Sequence, residues 1–210
     1  HYTEYIEFHQ PMRPGENGLD LEIQPVISAM ISQRAGTNVI YKYEVRGKDG
    51  TLYHTEYNGT MLRGVECIDG GKGDPPYVPS PEHPDQILWE KTFHVDPEQT
   101  YLYDAATDIV FAIHTSPKYA HSVDLPNILV TGTYTIAVGV REMINQELGG
   151  HAEKVKAIHA KLTAMVFPDS DITVQLIDKK ISNGFVELHY RILNDNGAVA
   201  LSKGYVRALL

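Results

Sequence analysis

The sequence predicts an α+β protein in which a curved antiparallel sheet wraps one central helix, with the strand pattern written twice. Three observations carry this expectation. One long apolar segment has helical periodicity, extended segments alternate with strong turn dipeptides, and one hairpin pattern recurs in approximate form.

The helix is expected over about Thr133 to Gln146, "TYTIAVGVREMINQ", where Ile136, Val140, Met143 and Ile144 share a face that Ala137 and Val138 extend. Such a helix is largely buried. Its polar end at Arg141, Glu142, Asn145 and Gln146 is expected to emerge towards solvent, and Gly149-Gly150 supplies a stop. Four extended segments follow, Val155–Phe167, Asp171–Ile181, Phe185–Leu193 and Ala198–Val206, separated by Pro168-Asp169, Asn183-Gly184 and Asn196-Gly197. Upstream, Leu19–Arg34, Val39–Val45 and Thr51–Leu62 read the same way, with Asp49-Gly50 as a hairpin turn.

The repeat is visible in "YKYEVRGKDGTLYHTEYNGTMLRG" and "ELHYRILNDNGAVALSKGYVRA": a strand, an Asp-Gly or Asn-Gly turn, then a strand ending near an arginine. Between the copies, residues 69–85, "DGGKGDPPYVPSPEHPD", are rich in Gly and Pro without periodicity, the composition of a linker crossing the surface. The expected organisation is therefore an incomplete N-terminal repeat over 1–68, the linker, and a C-terminal domain over 86–210. A curved sheet must bury its concave face, and only the second copy brings its own helix. Either that helix serves both sheets, or a partner chain covers the first, or a helix belongs upstream. The last is the expectation, because the chain opens directly in strand-like "HYTEYIEFHQP". Val26, Ile27, Met30 and Ile31 would then be poorly covered unless a separate polypeptide completes the first repeat.

Composition narrows function. The 210 residues are 42% apolar with a formal charge of −9, and scattered Lys and Arg form no basic stripe, so nucleic acid is not an expected partner. No apolar run approaches the roughly 20 residues of a membrane helix, so no membrane partner is expected. The single cysteine, Cys67, excludes an intrachain disulfide and a multi-cysteine metal site; it reads as a small packing residue, and a cytoplasmic location is expected, an organelle being compatible. The histidines lack H-x-x-x-H or H-E-x-x-H spacing, so no metal is expected. The glycines at 70, 71 and 73 precede Asp-Pro-Pro, which cannot open a phosphate-cradling helix, and no G-x-S-x-G nucleophile elbow occurs.

"DIVFAIH", residues 108–114, sets an acidic residue and a histidine on either side of a short apolar run. Alone, the Asp reads as a helix cap or surface residue and the His as structural. In the context "TDIVFAIHTSPKYAHSVDLPNILVTGTYTIA", residues 107–137, the segment resembles the signature of the MaoC-like, R-specific enoyl-CoA hydratase family. That resemblance implies the hot-dog fold, here as two hot-dog-like repeats with the N-terminal one degenerate or lacking its helix. It implies a hydro-lyase that reversibly adds water to a trans-2-enoyl thioester to give an R-3-hydroxyacyl thioester. Asp108 and His114 would share the acid and base work on one water, and the backbone N–H of Gly132, unpaired at the helix start, would stabilise the enolate. Gly132 equally suits a tight approach of helix to sheet. Thr131 and Tyr134 are secondary candidates for the acyl pocket.

The sequence departs from the family pattern in two places. Asp108 and His114 are six positions apart where five is usual, and Thr131-Gly132 stands where His-Gly is common. The alternatives are a hot-dog thioesterase and a non-catalytic acyl-thioester-binding or scaffold protein. The resemblance implies no cofactor; the substrate is itself a thioester of coenzyme A or acyl carrier protein, and the family's place is in fatty acid metabolism. At least one edge-to-edge sheet pairing and a homodimer are the further expectations.

Overall fold

The computed structural model describes residues 1–16 and 18–210. In chain order, β1 (Thr3–Phe8), β2 (Leu21–Gln33), β3 (Gly36–Gly47), β4 (Leu52–Arg63) and β5 (Gly71–Gly73) form the first half. The second half comprises β6 (Trp89–Val95), α1 (Gln99–Thr107), α2 (Pro117–Ser122), α3 (Gly132–Glu147), β7 (Val155–Leu162), β8 (Ser170–Ser182), β9 (Phe185–Leu193) and β10 (Val199–Leu209). The strands make one ten-stranded sheet in the order β5-β2-β3-β4-β1-β7-β10-β9-β8-β6. This is the expected α+β hot-dog arrangement: a long, curved antiparallel sheet with α3 on its concave face.

Turn chemistry fixes the register. Asn183 and Gly184 take φ of 50° and 79°, the type I′ geometry that matches strand twist, so Ser182 stands opposite Phe185 across the β8–β9 hairpin. The repeated pattern proves to be two equivalent hairpins, β3–β4 and β9–β10. The second departs from the first at a bulge where Lys203, at φ 51°, shifts the register between Ser202 and Tyr205. The two halves meet edge to edge: β1 pairs with β4 on one side and β7 on the other, so Tyr5 faces both Tyr57 and His159.

α3 buries Ile136, Val138 and Met143 against Val174, Leu188, Ile192 and Val206 of the sheet, with Val140 and Ile144 half-buried at its flank. Glu142 corrects the expectation of a solvated polar end, since it is only 1% exposed. Lys91 Nζ at 3.0 Å and Arg141 Nε at 2.9 Å both donate to its carboxylate. Burial alone would raise the Glu142 pKa, and the two cations outweigh it and lower it. α3 is thereby tied to β6.

The strand expected to reach Phe167 ends at Leu162, and the next residues bend so that Val166 accepts the Val130 N–H at 2.9 Å. Along the 69–85 stretch, Gly71–Gly73 adds to the free edge of β2 while Glu82 N–H reaches Asp178 on β8. Strand alternation puts Ile158 on the α3 side and His159 on the opposite face. Residues 74–81 pass over that opposite face, beside His159, His189 and Lys203. On β2, Ile23 is 61% and Ile27 59% exposed; Val26 and Met30 are also exposed and Ile31 is half-buried.

Candidate active site

The segment joining β6 to α3 builds the site. α1 ends where Asp108 turns left-handed, at φ 55°, a conformation that Asp tolerates through its short polar side chain. The Asp108 and Ile109 N–H groups both donate to the Asp104 carbonyl, which closes the helix. Asp108 is consequently exposed at the turn, while Ile109 points inward. A single 3-10 turn, Ala112–His114, then delivers the histidine. Its Nδ1 lies 2.8 Å from the Leu129 carbonyl oxygen. A carbonyl only accepts, so the neutral ring carries its proton on Nδ1 and keeps its lone pair on Nε2. Ser116 caps α2 by accepting the Tyr119 N–H at 3.3 Å, with Pro117 in the first helical position. That local chemistry explains "SPKYA".

α3 starts at Gly132. As its first residue, Gly132 has an N–H without an intrahelical acceptor, at the positive end of the helix dipole. A Cβ there would sit 2.3 Å from Leu162 Cδ1 on β7, so the close-approach reading of this glycine holds. The two roles are compatible, because the small residue brings the helix end against the sheet while its amide stays unpaired.

His114, Thr131 and Gly132 line one cavity of about 420 Å³. Its walls are mainly apolar, from Ile109, Phe111, Ile113, Leu129, Leu162 and Met165, with Thr133 and Thr135 also in the lining. Asp108 and Tyr134 are not among its lining residues. Tyr134 instead meets Tyr103 edge-on at 5.5 Å between centroids, and burial pushes its hydroxyl pKa up. Thus the structure brings three of the five candidates together, with Asp108 one residue outside the wall.

Asp104 escaped the sequence reading. It is 5% exposed and one carboxylate oxygen accepts the Thr131 hydroxyl at 2.7 Å. The only signal was its spacing, four residues after Thr100 on the buried face of α1, and two polar residues at that interval do not stand out as a core face.

Comparison with known proteins agrees with this architecture. Residues 80–196, more than half of the chain, match the family described as MaoC like domain. The chain belongs to that family, which supports hydratase or dehydratase activity in general terms. A MaoC-like dehydratase from Phytophthora capsici superposes with a TM-score of 0.83 at 22% identity, covering 100% of this chain and 71% of that one. The full-length peroxisomal multifunctional enzyme type 2 from Drosophila melanogaster gives 0.79 at 18% identity, covering 100% of this chain and 37% of that one. An (R)-hydratase from A. caviae involved in PHA biosynthesis gives 0.51 at 17% identity, covering 58% of this chain and 92% of that one. At these identities the likeness is one of fold. No curated protein sequence matches the chain. No helix among the described residues is long and apolar enough to cross a membrane.

Proposed function

We propose that the protein is a hydro-lyase that reversibly adds water to a trans-2-enoyl thioester, giving the R-3-hydroxyacyl thioester. The observation that carries this reading is His114, with Nδ1 pinned on Leu129 and Nε2 left as a base, in an apolar cavity beside the unpaired start of α3. In the proposed step, the oxygen of one water bonds to C3. One of its protons passes to His114 or Asp108 and the other of the two delivers a proton to C2, a step that requires the Asp108 side chain, exposed in this structure, to turn into the cavity. Net gain is one water. Negative charge building on the thioester oxygen during the step is met by the Gly132 N–H, a fixed donor that needs no reorganisation. The apolar walls keep bulk water from the acyl group and strengthen that interaction.

Asp108 lies outside the cavity lining, which favours one second reading: an acyl-thioester-binding protein without turnover. Crotonyl-CoA separates the two. Loss of enoyl absorbance, falling by about 100-fold or more in Asp108→Asn, supports the hydratase with Asp108 in its mechanism. Undiminished turnover in that variant removes Asp108, binding without turnover supports the second reading, and release of free thiol supports a thioesterase instead.

A further inference from the structure

Three threonines, Thr131, Thr133 and Thr135, are among the residues lining an otherwise largely apolar cavity, and one of them is held by a buried charge. The Thr131 hydroxyl donates to Asp104 Oδ1 at 2.7 Å. The second oxygen, Oδ2, is buried with no hydrogen-bond partner among the described residues. An unsatisfied buried carboxylate oxygen is costly, and its persistence calls for an explanation in function. Asp104 is also anchored through its backbone, since its carbonyl closes α1 under Asp108 and Ile109. Thr131 is anchored equally well, because its carbonyl accepts the Tyr134 N–H at 3.0 Å and the Thr135 N–H at 3.4 Å in the first turn of α3. The pair is therefore a rigid strut between the end of α1 and the start of α3.

A hydroxyl has one proton and two acceptor lone pairs, and a carboxylate can only accept. With its proton committed to Asp104, Thr131 offers the cavity acceptor capacity alone. The adjoining Gly132 amide is a donor at the same helix end. From this we infer that Asp104 is a positioning residue that makes Thr131 an obligate acceptor for an N–H or O–H donor on the bound ligand. This inference rests on the proposed thioester substrate. Two parts of such a ligand carry the required donor close to the thioester, the 3-hydroxyl of the hydrated acyl group and the amide N–H nearest the sulfur of the carrier arm.

Binding measured by calorimetry tests the assignment, with His114→Asn as the background so that turnover does not interfere. Next to the thioester, butyryl-CoA carries only the amide donor, and R-3-hydroxybutyryl-CoA carries that amide and the 3-hydroxyl. In Thr131→Val the affinity should fall several-fold to about tenfold, the worth of one hydrogen bond, and Thr131→Ser should restore it. If both ligands weaken, the amide is the donor; if only the hydroxyacyl thioester weakens, the hydroxyl is. Asp104→Asn, whose amide can turn a donor towards Thr131, should weaken binding to a similar degree and add little to Thr131→Val in the double variant. The inference is overturned if Thr131→Val binds both ligands unchanged, if Thr131→Ser is as weak as Thr131→Val, or if the Asp104 and Thr131 losses simply add. Should Asp104→Asn fail to fold, the Thr131 pair still decides. If the binding pattern holds while the unsubstituted chain turns over no enoyl thioester, the hydratase reading fails and the strut survives; if the chain binds neither ligand, both fall.

Discussion

At the scale of single residues, the site depends on two groups whose donor or acceptor state is set by neighbours. His114 cannot carry its neutral proton on Nε2 while Nδ1 faces the Leu129 carbonyl at 2.8 Å, so the proposed base is Nε2 and a backbone contact sets it. Gly132 can be tested without touching any side chain that reacts. Proline is tolerated in the first helical position and removes only the N–H, but any Cβ there meets Leu162, so the pocket must be opened first. Gly132→Pro with Leu162→Ala should lose about 100- to 1,000-fold in crotonyl-CoA turnover, whereas Gly132→Ala with Leu162→Ala keeps the amide and should retain most of it. Equal activity in the two double variants would remove the amide from the mechanism. His114, Thr131 and Gly132 were legible because a motif marks them. Asp108 sits where the plain reading of an Asp before an apolar run puts it, exposed at a helix end, because its N–H closes α1 on the Asp104 carbonyl four residues back. The motif context that joined it to His114 did not show that this turn leaves it outside the cavity lining. The strut was invisible because its two members lie 27 positions apart in sequence.

At the scale of elements, α3 could be read from its apolar face, whereas α1 could not. The buried residues of α1 are Thr100 and Asp104, and Leu102 is 63% exposed, so hydrophobic periodicity points nowhere useful. Burial of Glu142 escaped for the related reason that a charge goes inside only once Lys91, 51 positions away in sequence, is beside it. The approach of α3 to the sheet also turns on a second glycine that its periodicity does not reveal. A Cβ at Gly139 would lie 2.4 Å from Tyr190 Cε2, and on the other side one at Gly204 would lie 2.7 Å from the same ring atom. Tyr190 is fully buried and its hydroxyl has no partner among the described residues, so the ring has no room to yield. Gly139→Ala gains about 1 kcal/mol of helix propensity but overpacks the core at about 1–3 kcal/mol. Net destabilisation is expected, read as a lowered Tm, and an unchanged or raised Tm would contradict the clamp. Tyr190→Phe removes an unsatisfied hydroxyl and should be neutral or stabilising; a large loss would mean that the hydroxyl has a partner.

At the scale of the whole molecule, the duplicated hairpin and its turn dipeptides were legible, because local chemistry fixes both. Their joining into one sheet through β1 and β7 is a long-range pairing that local pattern does not encode. The stretch from Gly73 to Trp89 reaches about 50 Å at the polyproline rise of about 3.1 Å per residue. Crossing ten strands at about 4.8 Å spacing would need about 43 Å along a flat sheet, so the stretch is long enough to join β5 and β6 at opposite edges of the sheet even with a turn at His83–Gln86. The β1 seam has its own pH signature. Burial and then the Glu4 carboxylate raise Glu56 to about 7, and burial lowers His159 to about 4. For Glu56 the folded state holds the proton more tightly. Its contribution is complete below the ordinary value of about 4.5 and is lost as pH rises through about 7. For His159 the unfolded state holds the proton more tightly, so its contribution is present above the ordinary 6.5 and is lost as pH falls towards about 4. Glu56→Gln should therefore flatten the decline of Tm on the neutral side, and His159→Gln the decline on the acid side. Profiles identical to the parent would show that neither group titrates differently on folding.

The most direct test of the central claim is the chirality of the product formed from crotonyl-CoA by the unsubstituted chain and by His114→Asn, whose amide can still donate to the Leu129 carbonyl. The account predicts R-3-hydroxybutyryl-CoA from the first and about 100-fold or greater loss in the second, with butyryl-CoA binding retained. An S product, or full hydration without the imidazole, would contradict it.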